Sequence, residues 1–338
     1  MSRRAWVLAV LTAVVVTGAT YSVKAFTFTG LRWPNGSVIS LKIKMGAGSG
    51  RLIDGKTHWD QTVVASATQW NSTALKGVPI RLTTVRNASG SKKGNDGRNS
   101  IFFARTVFGR AFGANTLGVT APWFFAGNVT SEADIVINSK KNFNSYRGAR
   151  LIDTTGVGST PAARGPVDIM RVLIHEIGHL LGLNHPDQVG QRQATIMKSS
   201  VSNTDRVLID DINGMYRLYR VPICRVKAFN APGARNGNLT NTDCIAPHRP
   251  GTKRGDLYSF TGTAGQVHTI TMTRGTLADP FLVVLGPNGG KLSQNNNGGG
   301  GKNARVRFTA GTTGKYTIEA TASANTDRGT YTLRRTVG

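Results

Sequence analysis

The sequence predicts an α+β domain, a mixed twisted sheet with one deeply buried helix, followed by an all-β sandwich. Three observations carry this. The chain of 338 residues is long enough for two domains that each bury a core. Up to about residue 220, short alternating runs are interleaved with segments of helical period. Beyond Pro222 only alternation remains, cut by Gly- and Asn-rich turns.

The elements follow in order. "MSRRAWVLAVLTAVVVTGATYSVKA" has a basic start at Arg3 and Arg4, an apolar run from Ala5 to Gly18, and small residues at Val23 and Ala25 around Lys24. This is the pattern of an export signal (1–25) cleaved near Ala25. The run is shorter than the roughly 20 residues of a spanning helix, so a retained membrane anchor is the lesser reading. "SVISLKIKM" (37–45) alternates as a strand, and Val63, Ala67, Trp70 and Ala74 then fall at helical spacing. Strands are expected at "PIRLTTV", "SIFFARTV", "TLGVTAPW" and "ADIVINS", and 88–100 is a loop by composition. Within "GPVDIMRVLIHEIGHLLG", Pro166 suits a first helical turn and Asp168 puts negative charge at the positive helix end. Apolar residues on most sides predict that this helix is buried. "VLIDDINGMYRLYRV" (207–221) reads as a closing helix, which ends a domain spanning 26–220.

The second domain, 221–338, carries alternating runs from "DLYSFTG" to "TYTLRRT" and a low-complexity loop at "NNNGGGGKN" (295–303). Alternation without helical period predicts a small antiparallel sandwich. Cys224 and Cys244 are the only cysteines. In an exported chain so sparse an even count predicts one disulfide.

The formal net charge is +25. The surplus is spread, with 24 basic to 12 acidic side chains in residues 26–220 and 15 to 5 in residues 221–338. Without a basic block or a recognition motif, no specific nucleic-acid partner is expected. Anionic cell-surface material is the partner class that such a charge admits.

Three of the six histidines fall within "HEIGHLLGLNH" (175–185). His175 and His179 are four apart, so a helix sets them on one face, where both can reach one tetrahedral zinc. Glu176 lies about 100° further round, beside the metal, as a general base. Gly182 can take positive φ, stop the helix and turn the chain back, so that His185 arrives as third ligand. Three protein ligands leave a fourth position open, as catalysis requires. Gly178 is expected to let another segment approach the helix. Three unpaired imidazoles in an ordinary core would be costly, so a metal site is the better reading.

With these residues on the page, the chain resembles the metzincin zinc endopeptidases, of matrixin type, over roughly 30–220. The resemblance implies one catalytic Zn²⁺ on His175, His179 and His185, Glu176 as catalytic base, and Met197 of "ATIM" as the Met-turn beneath the metal. "LGVTAPW" is similar to the edge strand that pairs with substrate, which makes Leu117, Gly118 and Val119 a substrate rail. Ser199 stands where astacins and serralysins have tyrosine, so a tyrosine ligand switch is not implied. Ca²⁺ has no clear motif, with Asp153, Asp187 and Asp205 merely in turns. Residues 222–338 resemble the bacterial pre-peptidase C-terminal (PPC) domain through "DLYSFTGTAGQ", "DPFLVVLGPNGGKL" and "TGKYTIEATASANTDRGTYTL". The expectation is a secreted, monomeric zinc metalloendopeptidase acting on protein or peptide substrates. The alternative is a basic envelope- or polyanion-binding protein whose protease site is vestigial.

Overall fold

The computed structural model describes residues 26–46, 50–89, 92–151 and 165–338. The expected export signal (1–25) and Asp153 lie outside them. The chain divides into two compact units, one reaching Leu218 and the other comprising Tyr219–Gly338 with Ser72–Val78. The described residues are mostly strand, with three α-helices.

In the first unit five strands form one sheet in the order Arg81–Val85, Val38–Lys44, Asn99–Ala104, Val129–Asn138, Gly118–Phe125. The first three pairings are parallel and the last is antiparallel. Helix α1, Trp59–Ser72, joins the two strands at one edge and buries Val63, Ala67 and Trp70. Its Asn71 side chain accepts from the Leu82 amide at 3.0 Å and donates to the Leu82 carbonyl at 2.8 Å, which ties helix end to strand.

Helix α2, Ile169–Leu180, is apolar nearly all round and buried accordingly. It starts later than its composition suggests. Pro166 precedes the helix, and Asp168 is the N-cap, with Oδ1 accepting from the Met170 amide at 3.1 Å. Val167 and Asp168 are instead extended, paired in parallel with Phe143 and Asn144. Helix α3 covers Ile209–Leu218, shorter than the 207–221 expected, with Ile212, Met215 and Tyr216 inward.

The second unit is a two-sheet sandwich. One sheet runs Val226–Ala228, Arg254–Gly262, Gly314–Ala322, Pro280–Leu285, Lys291–Asn295, with Cys244–Ile245 beside Arg254–Gly262; the other runs Gly233–Leu239, Gly329–Val337, Val267–Arg274, Ala304–Thr309. Inward residues such as Phe260, Ile270, Leu282, Val306, Ile318 and Leu333 fill the core. The expectation of a wholly antiparallel sandwich needs one correction, because Val226–Ala228 pairs in parallel with Arg254–Gly262. "GARNGNL" (233–239) and "KLSQN" (291–295) carry too few apolar residues to announce strands, yet both are recruited by their neighbours' ladders.

Cys224 and Cys244 are joined in a disulfide across 20 residues. A loop of that length contributes about 3 kcal/mol in the chain-entropy account. The double variant Cys224→Ser/Cys244→Ser is therefore expected to lose about that much stability, checked by denaturant unfolding of the non-reduced protein beside the variant.

Candidate active site

Helix α2 places His175 and His179 one turn apart, and the turn after it brings His185 to meet them. Gly182 has φ +107°, and a Cβ there would lie 2.6 Å from the Leu31 carbonyl oxygen, so positive φ and close packing both demand glycine. Leu183 and Asn184 then pair with Thr27 and Phe28, while Asn184 Oδ1 accepts from the His185 amide at 2.8 Å.

The three Nε2 atoms form a triangle, with separations of 3.0 Å (His175–His179), 2.9 Å (His179–His185) and 3.1 Å (His175–His185). His175 Nδ1 lies 2.9 Å from the Ile196 carbonyl, and His179 Nδ1 lies 2.9 Å from the Leu183 carbonyl. A carbonyl can only accept, so both Nδ1 atoms carry the proton and both Nε2 atoms present lone pairs to the centre. Burial lowers the pKa of His175; it takes His179 well below the usual value, with the two neighbouring histidines adding to it. His185 is lowered to about 4, by burial first and then by His175. Neutral imidazoles with converging lone pairs repel one another unless a cation sits between them. Tetrahedral coordination at about 2.0–2.1 Å sets nitrogens roughly 3.3 Å apart, so the triangle fits zinc. Among the described residues this is the one cluster of metal-ligating groups.

Glu176 is 5 % exposed and lies beside the histidines. Burial pushes its carboxyl up to about 7, against the lowering effect of Thr120. Thr120 Oγ1 lies 2.7 Å from Glu176 Oε2 and 2.9 Å from the Glu176 carbonyl. The sequence reading missed this residue. Its signal was the strand period, which puts Thr120 on the same face as Gly118. Gly118 makes room for the carboxylate, since a Cβ there would lie 3.0 Å from Glu176 Oε1. Gly118 and Val119 belong to the outermost strand of the sheet, whereas Leu117 just precedes it and accepts from the Asn138 amide at 2.9 Å.

Met197 is buried beneath α2, and a Cβ at Gly178 would overlap its Sδ and come within 3.0 Å of the Trp70 ring. The close approach expected at Gly178 is thus that of Met197 and Trp70. A second residue missed from sequence is Asp211 of α3. Its carboxylate accepts from the Ile196 amide at 3.2 Å, the Leu208 amide at 2.8 Å and the Thr195 hydroxyl. It so fixes the turn whose Ile196 carbonyl orients His175. Asp187 is occupied by Ser199, and Asp205 by Arg147, Arg206 and the Gly148 amide. His175, His179, His185 and Glu176 open onto one cleft of ≈ 1160 Å³, which Gly118, Val119 and Ser199 also line.

Two family models match the chain. The Matrixin family model matches residues 53–220, and the bacterial pre-peptidase C-terminal domain model matches residues 254–322. No curated protein matches the chain. Similar solved structures include the pre-peptidase C-terminal domain of a collagenase from Bacillus anthracis, at 16 % identity and TM-score 0.27, covering 33 % of this chain and 96 % of that one. The lysozyme inhibitor PliG of Aeromonas hydrophila aligns at 14 % identity and TM-score 0.24, covering 34 % and 98 %.

The packing under α2 has a direct test. Gly178→Ala forces Met197 or Trp70 to move, and is expected to cost about 1–3 kcal/mol, read as a lowered denaturation midpoint.

Proposed function

Starting from a chain whose residues 53–220 are of the matrixin family and whose residues 254–322 form a pre-peptidase C-terminal domain, we propose that it is a secreted zinc-dependent endopeptidase. The family match supports a peptidase. The observation that carries the zinc reading is the triangle of Nε2 atoms, with its Nδ1 protons held outward by main-chain carbonyls. His175, His179 and His185 hold the metal. Zinc, when bound, supplies acidity to a water and polarises the carbonyl under attack.

The chain's own groups do the rest. Glu176 takes the proton of the attacking water on its carboxylate and then delivers it to the departing amine nitrogen. Thr120 orients that carboxylate and favours its charged form. Gly118 turns its main-chain groups to the free edge of the sheet, where an extended peptide adds as a further strand, and Val119 follows it along the same strand. Met197 closes the floor with an apolar surface that keeps the histidines in place. Export follows from the pattern of residues 1–25, and the Cys224–Cys244 disulfide suits an oxidising compartment.

Three measurements test this. Purified protein is expected to contain one zinc per chain, and removing it with o-phenanthroline to abolish cleavage of denatured protein. Elemental analysis without zinc, and no activity on adding it, defeats the assignment. Glu176→Ala is expected to keep the zinc and lose turnover by roughly 10²–10⁴-fold, whereas His185→Ala loses the zinc itself. Thr120→Val removes the hydrogen bond that lowers the Glu176 pKa. Its base then needs a higher pH to ionise, so the acidic limb of the kcat/KM profile is expected to move upward and the loss to be larger at pH 6 than at pH 8.

A further inference from the structure

One turn before His175 on α2 stands Arg171, on the same helical face. It is 2 % exposed and lines the same cleft as His175 and Glu176. Its Nη2 donates to the Gly148 carbonyl, and its guanidinium lies 5.3 Å from the centre of the Tyr146 ring. Among the described residues, Nε and Nη1 find no hydrogen-bond acceptor. The adjacent acid, Asp168, has committed Oδ1 to the Met170 and Tyr146 amides. Its Oδ2 forms a buried ion pair with Arg171 Nη1 at 3.7 Å, too long for a hydrogen bond, and has no hydrogen-bond donor of its own among the described residues. A buried guanidinium with N–H groups lacking acceptors is costly, and its planar fork is shaped for a carboxylate.

The surroundings have the matching sign. Arg110, Lys141, Arg150 and Lys198 line the cleft with Arg171, and Glu176 is the one acid among the described lining residues. Arg150 is pinned by its Nη1, which donates to the Val201 carbonyl at 3.1 Å. A cleft of one sign with low-dielectric walls concentrates ligands of the other sign.

We propose that this end of the cleft is a carboxylate-binding subsite, held chiefly by Arg171, that selects peptide substrates by an acidic group. The proposal rests on the peptidase reading above. The carboxylate comes either from a Glu or Asp side chain near the scissile bond or from the free C-terminus of the peptide.

Both sources are resolved by one panel on the wild-type chain. A peptide carries a single Glu, Gln or Leu at successive positions around the scissile bond, each as free acid and as C-terminal amide. A side-chain source predicts that Glu exceeds Gln in kcat/KM by about 10-fold or more at one position, in both terminal forms, because a site built to bond a group rejects the analogue lacking it. A C-terminal source predicts that amidation alone costs that factor. Titration calorimetry of the same peptides on Glu176→Ala protein is expected to show the same order in affinity, and Arg171→Met to erase it. Equal cleavage and equal binding of Glu, Gln, free-acid and amide peptides by the wild-type and Glu176→Ala proteins overturn the subsite, whether or not Arg171→Met folds. Failure to cleave any peptide, with the affinity order intact, instead counts against the peptidase reading and leaves the subsite standing.

Discussion

Three imidazole nitrogens lie within 3.1 Å of one another, and most of the first unit is arranged to make that possible. Neutral nitrogens of this kind repel when nothing sits between them, so each ring must be held from behind. The two helical histidines are held by main-chain carbonyls, and those carbonyls belong to segments that must themselves be fixed. Asp211 fixes one of them through the Ile196 amide. The Thr27–Phe28 strand fixes the other by pairing with Leu183–Asn184. The glycines at 178 and 182 follow from the same demand, since any side chain there would push the floor or the turn away from the helix.

The carboxylate obeys a different constraint. Glu176 is buried, which favours its neutral form, yet a base must be charged. Thr120 answers this with one hydroxyl from the edge strand, and Gly118 leaves the carboxylate space two residues earlier. Under the proposed function, the strand that would receive substrate also carries the hydroxyl bonded to the base. The edge strand and the Glu176 carboxylate are thereby joined through Thr120, by a hydrogen bond of 2.7 Å.

Much of this was legible in the sequence because it is local. The spacing of His175, Glu176, His179, Gly182 and His185 is helical geometry plus a turn, and all of it lies within eleven residues. Gly178 and Met197 are further apart in sequence, and only the family resemblance linked Met197 to the site. Thr120 and Asp211 were not legible, because their roles exist only across 56 and 15 residues of chain, in pairings that no period reports. The start of α2 was misread for a related reason. Pro166 and Asp168 satisfy helix-start statistics equally well at two offsets, and the bond from the Tyr146 amide to Asp168 selects the later one. The strands at 233–239 and 291–295 owe their conformation to neighbours, not to their own alternation.

The pairing of Thr27–Phe28 with Leu183–Asn184, together with the reach of Asp211 to Ile196, means that the cluster is closed by segments from both ends of the first unit. An isolated α2 peptide would own two of the histidines and none of the walls that aim them. During synthesis, the site cannot be completed until residue 211 has emerged and docked. Such long-range closure makes completion of the histidine cluster one of the last events of folding. Under the proposed function, a chain still threading or only partly folded is then protected from its own chemistry by topology.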